Sequence, residues 1–125
     1  MYKEWTSARI ESFIKSILRS GSRRWPPKYE VLNEAKRGKI VNQESGRLAE
    51  HYECAHCHLL FPAKLVAVDH IAPVVPLSGF ISWDDVIARM FCGKDGLQVL
   101  CKTCHGIKTK QENAERREYK KKTKL

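Results

Sequence analysis

Residues 68–74 read VDHIAPV and residues 95–109 read DGLQVLCKTCHGIKT, and these two stretches decide how the chain folds. The first closes a short valine-rich run, 64–70, that reads as a β-strand ending on Asp69-His70, with Pro73 and Pro76 breaking the segment beyond it. The second opens with a strand at 97–100 and passes through Cys101-x-x-Cys104 into a helix expected to begin near Lys102. That helix carries Cys104, His105 and Lys108 and is expected to fray in the lysine-rich tail. Between the strands, Ser82 lies three residues before Asp85 and reads as a helix cap. Trp83, Val86, Ile87, Met90 and Phe91 form the apolar stripe behind it, and Gly93 is the stop. The expected class is α+β, with two short antiparallel strands, a helix after them and helix 82–91 inserted between.

The cysteines sharpen this reading. Cys54-Ala-His-Cys57 and Cys101-Lys-Thr-Cys104 are two Cys-x-x-Cys pairs separated by a long insertion. A two-residue spacer lets one tight turn offer two thiolates to one ion, and two such turns complete the four tetrahedral ligands of a structural zinc. An iron–sulfur cluster uses the same ligand type, but the charge of the chain gives no support for electron transfer, and a redox dithiol needs only one pair. His56 and His58 flank Cys57 as alternative ligands; the regular pairing favours the four cysteines. Cys92 is the odd one and reads as a small buried hydrophobe.

Upstream, Ile10, Phe13, Ile14, Ile17 and Leu18 recur at three- and four-residue steps, the stripe of an amphipathic helix over 3–19 with Gly21 as its stop. Trp25-Pro26-Pro27 starts a second helix with proline in its first turn. Tyr29, Val31, Leu32 and Ala35 give that helix an apolar side before Gly38 ends it. Residues 38–50 read as a polar loop or short hairpin. The chain thus divides into an N-terminal helical region 1–50, a zinc-bound core 51–118 and a basic tail 119–125.

With 125 residues, 42% hydrophobic and 30% charged, the chain has the size and composition of one soluble domain. No apolar run approaches the roughly 18 residues of a membrane span, and the N-terminus has no signal-peptide core. An intracellular protein is expected, in which five cysteines bind metal rather than form disulfides. The net charge of +9, from 23 Lys and Arg against 14 Asp and Glu, points to a polyanionic partner.

The run Val68-Asp69-His70-Ile71-x-Pro73, followed by Leu97-Gln98-x-Leu100-Cys101-x-x-Cys104-His105-x-x-Lys108-Thr109, resembles the HNH endonucleases, and most of all the small free-standing HNH enzymes of tailed bacteriophages. The likeness covers about the second half of the chain; the RRWPPKYEVL segment is similar to leader regions of such phage proteins. It implies a ββα-metal fold (the His-Me finger) around the four-cysteine zinc. It also implies hydrolysis of DNA phosphodiesters, with His70 as general base and Asp69 and His105 as ligands of a catalytic divalent ion such as Mg, Mn or Ni. If a phage encodes the protein, its compartment is the host cytoplasm.

The chemistry of the residues agrees. Histidine takes a proton from water near neutral pH, and a cation held by a carboxylate and an imidazole neutralises a phosphate. The sequence departs from the family at Gly96, where an asparagine usually stands just before Leu-Gln. Asp95 or Gln98 is expected to brace the base in its place, and Gly96 to serve a positive-φ turn.

The partner expected is double-stranded DNA, with no membrane and a monomer by default. Arg23, Arg24, Lys28, Lys108 and Lys110 are the preferred phosphate contacts. Arg9, Lys15, Arg19 and the tail lysines Lys120, Lys121, Lys122 and Lys124 are further candidates. A four-cysteine zinc protein that grips nucleic acid without cutting it is the competing reading, and a protein-interaction zinc ribbon is a weaker one. Asp69-His70 together with His105 is what separates them, because a pure binder has no use for that trio. Homing and genome processing are not separable here.

Overall fold

The computed structural model describes residues 1–123. Two helices, α1 (Ser7–Ser22) and α2 (Pro26–Glu34), precede a three-stranded antiparallel sheet of β1 (Lys36–Val41), β2 (Leu48–Glu53) and β3 (Leu60–Pro62). A 3-10 turn leads into β4 (Val66–His70). Helix α3 (Trp83–Met90) comes next, then β5 (Leu97–Cys101), and α4 (Lys102–Thr123) continues directly from β5. Strands β4 and β5 form a separate antiparallel pair in which Asp69 faces Gln98 and His70 faces Leu97. The class is α+β, with α3 lying between the two strands in sequence.

Local chemistry explains most boundaries. Thr6 caps α1 by accepting the Arg9 N–H at 3.1 Å, and Ser82 caps α3 by accepting that of Asp85 at 3.1 Å. Pro26 and Pro27 occupy the first positions of α2, where no N–H is needed. Two glycines act differently from expectation. Gly21 lies inside the last turn of α1 rather than ending it. Gly38 lies within β1, where the β1–β2 register slips between Lys36 and Lys39; its φ of 102° supplies the bulge. Thus α2 stops at Glu34, and residues 36–53 are a hairpin that crosses residue 50. Helix α4 runs on through the tail to Thr123 instead of fraying, as its glutamate, arginine and lysine content favours.

Three buried clusters join the elements. Ala35, Tyr52, Val66 and Val99 pack with Val31 and Leu32, seating α2 on β2, β4 and β5. Cys54, Leu100 and Cys101 form a second cluster with Cys57, Cys104 and Phe61. Val74, Val86 and Met90 pack with Leu18, so α1 rests on the inserted helix α3. Trp25 clamps the same region: its indole N–H donates to the Cys92 carbonyl at 2.6 Å, and its ring meets Phe91 edge-on at 5.4 Å. The stripe on α1 is only partly covered, since Phe13 and Ile17 remain half exposed. Among the described residues no helix is long and apolar enough to cross a membrane.

Candidate functional site

The sulfurs of Cys54, Cys57, Cys101 and Cys104 lie within 4.8 Å of one another. A tetrahedral zinc with sulfurs at about 2.3 Å sets neighbouring sulfurs about 3.8 Å apart, and Cys57 and Cys101 are 4.0 Å apart. The four could hold one zinc ion. The first pair sits on a turn closed by the His58 N–H to the Cys54 carbonyl at 2.9 Å; the second sits where β5 becomes α4, with the Cys104 N–H on the Cys101 sulfur at 3.4 Å. The Ala55 N–H, donating to the Val99 carbonyl at 2.8 Å, ties the first turn to β5.

Ionisation in this cluster is uneven. Burial pushes the Cys54 thiol up, but the N–H groups of Cys101, Cys57 and His56 outweigh it and bring it down to about 6. Hydrogen bonding to the Cys101 sulfur, then burial, push Cys104 up to about 12. Four close sulfurs do not all ionise without a cation, and a divalent metal removes that obstacle. Neither neighbouring histidine joins the group: His56 is exposed, and His58 turns its Nδ1 to the Glu53 carboxylate at 3.1 Å. Cys92 also stands apart, against Gly96.

Asp69, His70 and His105 line one open cleft of about 430 Å³ between the ends of α1 and α2, strand β4 and helix α4. The two oxygens of Asp69 are distinct. Oδ2 accepts from Gln98 Nε2 at 3.0 Å and pairs with Lys108 Nζ at 3.1 Å, while Oδ1 faces His105 Nε2 at 3.6 Å. Lys108 also donates to the His70 carbonyl at 3.0 Å and pairs with Glu112 at 3.1 Å, so one ammonium fixes the end of β4 against α4. The His70 ring is held by main chain: Nε2 lies 2.9 Å from the Met90 carbonyl at the end of α3. A carbonyl only accepts, so Nε2 is the donor in this contact, and Nδ1 is the nitrogen not used by it.

This geometry corrects the expectation about bracing. Asp95 is exposed on a 3-10 turn. Gln98 holds Asp69 rather than His70, and the Met90 carbonyl orients the His70 ring. Nor is Gly96 at positive φ. It is glycine because a Cβ there would meet the Cys92 sulfur at 2.7 Å, while its carbonyl accepts the Ile71 N–H at 3.0 Å. Gly96→Ala is therefore expected to cost about 1–3 kcal/mol of stability through overpacking. Cys92→Ala should recover much of that loss in the double variant, as read by chemical denaturation. Additive losses would sink this account of the glycine.

The basic candidates divide. Lys28 and Lys108 line the cleft, whereas Arg23, Arg24 and Lys110 are exposed and do not. Lys120, Lys121 and Lys122 lie exposed at the end of α4, and Lys124 is outside the described residues. Arg116, Glu112 and Ser22 also line the cleft and were not legible in the sequence. Arg116 and Glu112 stand on α4 at three- and four-residue steps from Lys108 and His105, a helical spacing that could have marked them once α4 was extended. No protein-family model, curated protein or solved structure matches the chain.

Proposed function

We propose that the protein is a metal-dependent HNH-type endonuclease that hydrolyses phosphodiester bonds in double-stranded DNA. The observation that carries this reading is the meeting of Asp69, His70 and His105 in one cleft, next to a cysteine cluster suited to a structural zinc. The antiparallel pair of β4 and β5, followed directly by α4, also supports this reading.

Each residue has a distinct task. His70, its ring set by Met90, takes the proton from the attacking water through Nδ1. Asp69 Oδ1 and His105 Nε2 are the groups that would hold a divalent cation such as Mg, Mn or Ni. Ligands at about 2.1 Å from one ion lie roughly 3.0–4.2 Å apart, and these two are 3.6 Å apart. Such a cation, when bound, supplies Lewis-acid charge to the phosphate and the departing 3′ oxygen. Gln98 and Lys108 occupy Oδ2, which leaves Oδ1 turned to His105.

The direct test is incubation of supercoiled plasmid with the protein and Mg, Mn or Ni, which should yield nicked or linear DNA that a chelator prevents. Binding without cutting under all three ions would favour the four-cysteine nucleic-acid binder instead. Lys108→Met tests the positioning of Asp69. Outer partners of metal ligands are worth about 10- to 100-fold in metal affinity or activity. The variant should therefore need more metal for half-maximal cleavage. A lower rate with an unchanged metal requirement would mean that Lys108 serves the phosphate directly.

A further inference from the structure

The charges lining the cleft are not balanced evenly. Lys108 is compensated by both Asp69 and Glu112. Arg19 and Lys28, at the ends of α1 and α2, have no carboxylate within 4 Å among the described residues. Arg116, three turns along α4 from His105, gives its guanidinium to the Val75 carbonyl at 3.1 Å and the Asn113 side-chain oxygen at 3.4 Å, which leaves its charge unmatched.

Lys28 is also held in place. Ser22, only 2% exposed, donates its hydroxyl to the Arg19 carbonyl at 2.8 Å and accepts from Lys28 Nζ at 3.2 Å. One of the three ammonium donors is thereby used to aim the group, and two remain for a ligand. Burial, then the charge of Arg19, pull this lysine below its ordinary pKa. A cation partly out of water and beside like charges is relieved by an anion.

We propose that Arg19, Lys28 and Arg116 form an anion subsite for a DNA phosphate flanking the scissile one, which makes the paired ends of α1 and α2 a second jaw of the cleft. The proposal rests on the endonuclease reading and deepens it by assigning the phosphate next to the scissile one to a defined set of side chains.

The test is equilibrium binding of a short fluorescein-labelled duplex to the full chain with no Mg, Mn or Ni added, titrated from about 50 to 200 mM salt. Each neutralised phosphate contributes about 0.9 to the slope of log affinity against log salt. Arg19→Gln/Lys28→Met should lower the slope by about 0.9, the share of the one phosphate the subsite holds, and weaken binding about tenfold at the low-salt end. Lys28→Met alone should lower it by part of that amount, and Lys28→Arg should restore it. Lys28→Met serves if the double variant fails to fold, as judged by zinc content and circular dichroism. A folded variant with wild-type slope and affinity overturns the subsite. Because the readout is binding and not cleavage, a salt slope that falls in a protein unable to cleave plasmid keeps the subsite and rejects the nuclease. An unmoved slope in an active nuclease does the reverse.

Discussion

Cys101→Ser is expected to strip the metal from the protein and unfold its second half. Cys101 is 3% exposed, ends β5 opposite Val66 and accepts the Cys104 N–H at the start of α4. Losing that sulfur undoes the junction on which β4, β5 and α4 converge. Structural zinc contributes roughly 10–16 kcal/mol in small zinc-binding peptides, whereas folded domains are stable by only about 5–15 kcal/mol. The loss is thus comparable with the whole stability of the domain. Elemental analysis should return one zinc per wild-type chain and well below that for the variant, whose thermal transition should broaden or vanish. Cys92→Ser, outside the cluster, should keep its zinc. A cooperatively folded, zinc-free wild type would refute the assignment.

The second large effect is catalytic. His70→Ala should reduce plasmid cleavage by about 100- to 10,000-fold, the usual contribution of a general base, with duplex affinity, measured with no Mg, Mn or Ni added, nearly unchanged. Truncation also leaves the part-buried Met90 carbonyl without its donor, a cost of about 1–3 kcal/mol, so a modest fall in melting temperature should accompany the lost activity. His105→Ala should instead raise the metal requirement while the structural zinc stays bound. Cleavage by purified His70→Ala at the wild-type rate would remove the base assignment, whatever the other variants do.

Features that rest on neighbours in the chain were legible in the sequence. The Cys-x-x-Cys turns, the Ser82 cap, the proline start of α2 and the β5-to-α4 junction each depend on a few consecutive residues. What the sequence hid depends on residues far apart or on backbone atoms. Gly38 resembled a helix stop because a glycine bulge within a polar strand has the same local composition. Gly96 looked like a turn residue, although the constraint is the distant approach of Cys92. Lys108 is a natural phosphate contact until its ammonium is found between two carboxylates. Arg116 is marked only by its helical spacing from Lys108, and that spacing means nothing until α4 is known to run through the tail expected to fray.

The oxygen that orients His70 belongs to the main chain at residue 90, and every amino acid supplies that atom. Side-chain exchange at this position therefore cannot delete the brace; it can only shift the helix end that presents it. A mutational scan would score residue 90 for how well its side chain fills the space beside Val74 and Val86 and would miss its hold on the His70 ring. By the same logic, α3 can change much of its surface and keep the His70 ring aligned, provided its last turn ends at the same place.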